Sequence, residues 1–153
     1  MTIERRLARA GFTLTRDYAV PVERAWGAFA EEDQKAAWFG ASDTFESREW
    51  AFDFRLGGRD IAEGRFHNGP VSRYVATYTD IVDRVRIVTT YDMWLDGVHM
   101  STSLASFEFE PIDEGTRFTH VEHGVFFDQF WSDAPNREAG SRGLLDILGA
   151  HFA

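Results

Sequence analysis

The chain has 153 residues, a formal net charge of −9 and no cysteine. That length suits one domain with a real core, and the lack of cysteine excludes disulfide scaffolds, iron–sulfur clusters, thiolate zinc sites and cysteine nucleophiles. With 16 Lys and Arg against 25 Asp and Glu, the overall field would repel a nucleic-acid backbone, and no apolar run reaches the roughly 18 residues of a membrane span.

Residues 1–11, MTIERRLARAG, carry no apolar stretch of the signal-peptide kind, so the cytoplasm is the expected location. Residues 12–19 alternate as a strand, with Phe12, Leu14 and Tyr18 on one face. Pro21 stops it and suits a first helical turn. Val22, Ala25, Trp26 and Phe29 then recur at helical spacing through 21–30. A second short helix fits 31–38, acidic at its start where the dipole is positive, with Gly40 as its expected end.

Residues 45–56 read as a strand with Trp50, Phe52, Phe54 and Leu56 on one face, followed by a Gly57-Gly58 turn. A weaker strand covers about 59–67, and Asn68-Gly69 is a hairpin signal. Strands follow over 71–81 and 84–91, then an Asp96-Gly97 turn. A long strand over 99–110 ends at Pro111, and the last strand spans 116–126. Residues 127–136 read as a loop. Residues 136–151 read as a helix with a Leu144, Leu145, Ile147 and Leu148 stripe, in which Leu144 and Leu148 are expected to be buried. Gly140 and Gly143 inside it serve either close packing on a sheet or space left for a ligand.

Aromatic residues make up 15% of the chain, which fits either a ring-filled core or a ring-walled cavity. No dinucleotide, phosphate-loop, His-Glu-x-x-His, calcium-loop or Gly-x-Ser-x-Gly motif occurs. Ser141 is therefore no nucleophile candidate. His120 and His123 are three apart on a strand, point to opposite faces and cannot easily share a metal ion. No metal and no cofactor are expected. The Phe118–His120–Glu122 face is assigned to the interior, where His120 and Glu122 form an acid/base couple, a ligand-orienting pair or a satisfied structural pair. His67 is assigned to the surface, His99 to a pocket rim and His151 to the end of the last helix. Glu108 and Glu110 read as solvated surface.

Several stretches carry a family likeness: 16-RDYAVPVERAWGAF-29, 38-WFG-40, 53-DFRLGGR-59, 76-ATYTDIVDRVRIVTTYDM-93, 101-STSLASFEFEP-111, 116-TRFTHVEHG-124 and 137-REAGSRGLLDILGA-150. Together they resemble the START-like, Bet v 1-like (SRPBCC) superfamily, and within it the family similar to the C-terminal domain of the activator of Hsp90 ATPase. The resemblance implies an α+β helix-grip fold: a curved seven-stranded antiparallel sheet around a long C-terminal helix, with two short helices after strand one. It implies one START-like domain over 1–153, with its core at about 12–151. Trp38-Phe39, Gly57-Gly58, Tyr78 and Glu122 match family positions. His120 departs from the apolar residue or threonine common there. No catalytic motif is shared across the family, so none carries over.

The leading expectation is binding of a small hydrophobic or aromatic molecule in an internal cavity lined by Trp38, Phe54, Tyr78, Phe107, His120, Glu122 and Leu144, with Trp38 near the mouth. One alternative is a cyclase- or hydrolase-like enzyme in which His120 transfers a proton and Glu122 fixes the imidazole, or Glu122 is itself the base. Another, less favoured, is a chaperone-interaction module. The expected partner is the small molecule, not nucleic acid or a membrane; a homodimer is compatible with the sequence.

Overall fold

The structure, a computed structural model, describes residues 4–39 and 45–153. Gly40, the expected end of the second helix, lies outside the described residues. The chain runs β1 (Leu7–Tyr18), α1 (Val22–Ala30), α2 (Glu32–Trp38), β2 (Phe45–Phe52), β3 (Arg59–Phe66), β4 (Val71–Val82), β5 (Arg86–Leu95), β6 (Val98–Ile112), β7 (Gly115–Phe127) and α3 (Asn136–Phe152). This is the α+β helix-grip fold. Its seven strands form one antiparallel sheet in the order β1-β7-β6-β5-β4-β3-β2.

Short turns impose that order. Each strand from β2 to β6 pairs with the next in sequence, as tight hairpins require. Asp96 and Gly97 both have positive φ, 49° and 78°, the backbone that matches the twist of two paired strands. Gly115 brings β7 against the end of β1, where an added Cβ would lie 2.0 Å from the Tyr18 carbonyl oxygen. β1 then closes the far edge on β7, with Leu14 opposite His120.

One face of the sheet is covered by the helices. Leu145 and Leu148 of α3 are buried against it, and the Tyr18 hydroxyl donates to the Leu145 carbonyl at 2.8 Å. A ring cluster fills one part of the interior: Phe29 of α1 packs on Phe109 and Phe118 at 5.4 Å each, and Trp26 packs on Phe109 at 5.1 Å. The Trp38 indole N–H donates to the Ala28 carbonyl at 2.7 Å, locking α2 onto α1.

The structure corrects four local expectations. β2 ends at Phe52, because the chain must reverse to pair with β3. Residues 53–58 form the turn, Gly57 has φ 79°, and Leu56 is 65% exposed. Residues 128–133 are a 3-10 helix that buries Phe130, not a loop. His99 is not part of the lining of the cavity between helix and sheet; it pairs with Asp92 at 2.9 Å and stacks on Trp94. Leu144 is only half-buried while Leu148 is fully enclosed, since Leu144 faces open space between helix and sheet.

Candidate functional site

That open space is a cavity of about 470 Å³ between α3, α2 and the concave face of the sheet. The side-chain periods of three elements aim residues into it. On α3, Arg137, Gly140, Ser141, Leu144 and Leu145 recur at three- and four-residue spacing on one face. On α2, Lys35 and Trp38 are three apart and both turn inward. On the strands, alternation sends Asp60 and Ala62, Tyr74 and Tyr78, Thr89 and Tyr91, and His120 and Glu122 to the concave side.

The structure brings Trp38, Tyr78, Phe107, His120, Glu122 and Leu144 to this cavity and leaves Phe54 outside it. Because β2 has already ended, Phe54 turns into the core, with its ring 5.8 Å from Trp26 and 5.0 Å from Tyr78. Trp38 is also not at the mouth: it is 4% exposed, held deep by its bond to Ala28. The most exposed of the large apolar lining residues are Phe66 and Ile147, on β3 and α3, and these mark the rim among the described residues.

Two polar clusters interrupt the apolar lining of the cavity. In the first, Tyr91 donates to Glu122 Oε2 at 2.7 Å, and Arg137 donates to the Tyr91 hydroxyl at 2.7 Å and to Ser101 at 2.9 Å. The Arg137 guanidinium stands 3.7 Å from Glu122 Oε2, so the buried carboxylate has a charge partner and a hydrogen-bond donor. His120 lies 3.3 Å from Glu122 Oε1, with its ring stacked on Phe107 at 4.6 Å and met edge-on by Phe12.

The second cluster is Lys35, Asp60 and Tyr78. The Tyr78 hydroxyl donates to Asp60 Oδ2 at 2.5 Å, and Lys35 Nζ approaches the same oxygen at 3.5 Å. Lys35 Nζ also stands over the Phe39 ring at 4.8 Å and the Phe29 ring at 5.5 Å. Burial pushes the Lys35 amine below its ordinary value, and the Asp60 charge only partly opposes this. Burial likewise raises the phenols of Tyr74, Tyr78 and Tyr91, helped by Asp60 for the first two and by Glu122 for Tyr91.

Among the described residues, three buried side-chain atoms have no hydrogen-bond partner: Asp60 Oδ1, Thr89 Oγ1 and His120 Nε2. All three belong to residues that line this cavity. The sequence reading did not single out Lys35, Asp60, Thr89, Tyr91 or Arg137. Strand alternation could have found Thr89 and Tyr91, which share a face with Ile87. Arg137 opens α3, where the residues read as polar. Lys35 had a plainer signal, being the only lysine among 16 Lys and Arg residues.

Residues 19–153 match the family described as Activator of Hsp90 ATPase homolog 1-like protein. No curated protein matches the chain. Among solved structures, the Mll3558 protein of Rhizobium loti is 37% identical with a TM-score of 0.87, over 95% of this chain and 99% of that one. An uncharacterised protein of Rhizobium leguminosarum is 29% identical with a TM-score of 0.92, over 97% of each chain. An AHSA1-like protein of Aeromonas hydrophila shares the fold at 20% identity and a TM-score of 0.68, over 92% of this chain and 90% of that one.

Proposed function

Because the chain belongs to the activator of Hsp90 ATPase homolog 1-like family and has the START/SRPBCC ligand-binding fold, we propose that it binds a small, ring-containing, largely apolar molecule in the cavity beneath α3. One observation carries the reading. Among the described residues, the three buried polar atoms without a hydrogen-bond partner, on Asp60, Thr89 and His120, all belong to residues lining this one cavity. Each such atom costs about 1–3 kcal/mol when nothing completes it. An occupant carrying hydroxyl or carbonyl groups would complete them while its rings cover Phe107, Trp38 and Leu144. The volume of about 470 Å³ falls in the range of small-molecule sites, roughly 300–1,000 Å³.

His120 supports a second, catalytic reading. Its Nε2 lacks a hydrogen-bond partner and lies 3.3 Å from Glu122 Oε1, so the pair could move a proton on a bound molecule. No comparable observation supports the chaperone partner that the family's description suggests.

Native mass spectrometry of freshly purified protein should detect a retained small molecule. Independently, Nile red should bind the wild type and be excluded by Gly140→Leu, which adds bulk on the cavity face of α3. A control substitution at exposed Leu56 should leave binding unchanged. Equal binding by wild type and Gly140→Leu would place the dye elsewhere and remove the cavity from the reading.

A further inference from the structure

We propose that Lys35 is an amine nucleophile that captures a small apolar aldehyde or ketone as a Schiff base inside the cavity, with Asp60 as its proton shuttle. This rests on the cavity reading above and adds a chemical class of ligand and a covalent step.

The composition is the first argument. Every other cationic side chain of the Lys and Arg total is arginine, and the single lysine is buried on the cavity wall. Arginine would serve a plain ion pair with Asp60 at least as well, through its planar fork. What lysine alone can supply is an amine that loses its proton and attacks carbon.

Geometry is the second. Lys35 Nζ has one hydrogen-bond partner among the described residues, Asp60 Oδ2, and that contact is long at 3.5 Å. The short bond to that oxygen comes from Tyr78, at 2.5 Å. Asp60 Oδ1 is buried with no partner. Among the described residues, the amine also stands over the faces of Phe29, Trp38 and Phe39. Desolvation among these rings lowers the pKa of the ammonium, which favours the free amine. A ligand carboxylate at the same place would meet the unpartnered Asp60 oxygen, so a neutral carbonyl compound fits better than an anion.

The step balances without oxidant or reductant. Asp60 accepts a proton from the Lys35 ammonium. The amine lone pair forms a C–N bond to the carbonyl carbon while the C=O π pair moves to oxygen. A proton passes from nitrogen to that oxygen and gives the carbinolamine. Asp60 then returns its proton to the hydroxyl, which leaves as water as the C=N bond forms. The iminium ends opposite the Asp60 carboxylate, the charge arrangement from which the ammonium began.

The test uses the intact chain with benzaldehyde and sodium cyanoborohydride at neutral pH, followed by peptide mapping. Lys35 and the N-terminal amine are the only primary amines to separate. Among the described residues, the charged group that meets Lys35 is Asp60 of β3, to which Tyr78 of β4 is hydrogen-bonded, and the amine stands over the rings of Phe29 of α1, Trp38 of α2 and Phe39. Because burial favours the free amine, benzylation of Lys35 should be faster in the folded protein than in the same chain unfolded in urea. Asp60→Asn should slow it, and Lys35→Arg should leave label only at the N-terminus. If Lys35→Arg does not fold, the peptide map of the wild type still decides. Labelling of Lys35 that is slower folded than unfolded overturns the proposal. Toluene, which lacks the carbonyl, separates the two readings by displacement of Nile red. If toluene enters and Lys35 stays unmodified by benzaldehyde, the amine assignment falls and the cavity stands. If neither enters, both fall.

Discussion

The Tyr78 hydroxyl donates to Asp60 Oδ2 at 2.5 Å, joining β4 to β3 inside the cavity wall. Both residues are buried, and Lys35 stands farther from that oxygen than Tyr78 does. The phenol is thus the nearest donor to a carboxylate with no short contact to a cation.

Tyr78→Phe tests that dependence. The ring keeps its edge contact with Phe54, so packing is retained and only the hydroxyl is lost. The expected cost is about 1–3 kcal/mol, the penalty for an under-satisfied buried polar group. It would be read from urea unfolding midpoints at constant slope. A midpoint equal to that of the wild type would mean that the carboxylate is satisfied without Tyr78.

Leu144 and Leu148 sit one helical turn apart and should respond differently. Leu148 is fully buried, so Leu148→Ala should cost about 2–5 kcal/mol. Leu144 already borders empty space, so Leu144→Ala should cost much less and mainly change which molecules bind. The reverse order in a denaturation series would displace α3 from its place over the sheet.

The glycines give a contrast of sign. A Cβ at Gly140 or Gly143 would meet nothing within 4 Å. Alanine at either position should stabilise α3 by about 0.5–1 kcal/mol. Gly115→Ala should destabilise the protein, because φ is 150° and the new Cβ would collide with the Tyr18 carbonyl. Thermal melts of the three variants check the pattern.

Tyr18 links stability to alkaline pH. Burial is the main cause that pushes its phenol from 10.0 up to about 12. The folded state then keeps a proton that the unfolded chain releases, so the Tyr18 contribution is complete below pH 10 and is lost as the pH rises from 10 to 12. The stability difference between wild type and Tyr18→Phe should be constant below that window and shrink across it. Urea titrations at stepped pH would show this; a difference that stays level through the window would mean that folding does not perturb the phenol.

Much of the fold was legible because strands and hairpins declare themselves locally. Asn68 and Asp96-Gly97 take positive φ in the turns that their sequences signal, and alternation placed Phe118, His120 and Glu122 on one face of β7. That a long sheet with one apolar face needs the C-terminal helix as its cover followed from the elements themselves, and the family likeness implied the same curved sheet. Phe54 shows where periodicity failed: an apolar alternation running to Leu56 carried no sign that the strand stops at Phe52.

The sequence by itself determined the order of the seven strands and three α-helices, the inward face of β7 and the identity of a single lysine. Only the tertiary structure decided what those groups meet. Lys35, Asp60 and Tyr78 are spread over three elements, and Glu122, Tyr91 and Arg137 over three more. Their proximity arises from how α2 and α3 lie against the curved sheet. No spacing along the chain encodes a distance of 3.5 Å between Lys35 and Asp60, because that distance is set by the packing of Phe29, Trp38 and Leu145 between the layers. The cavity has the same origin: it is the volume left where Gly140 and Leu144 of α3 pass over Thr89 and Tyr91 of the sheet without side chains enough to fill it.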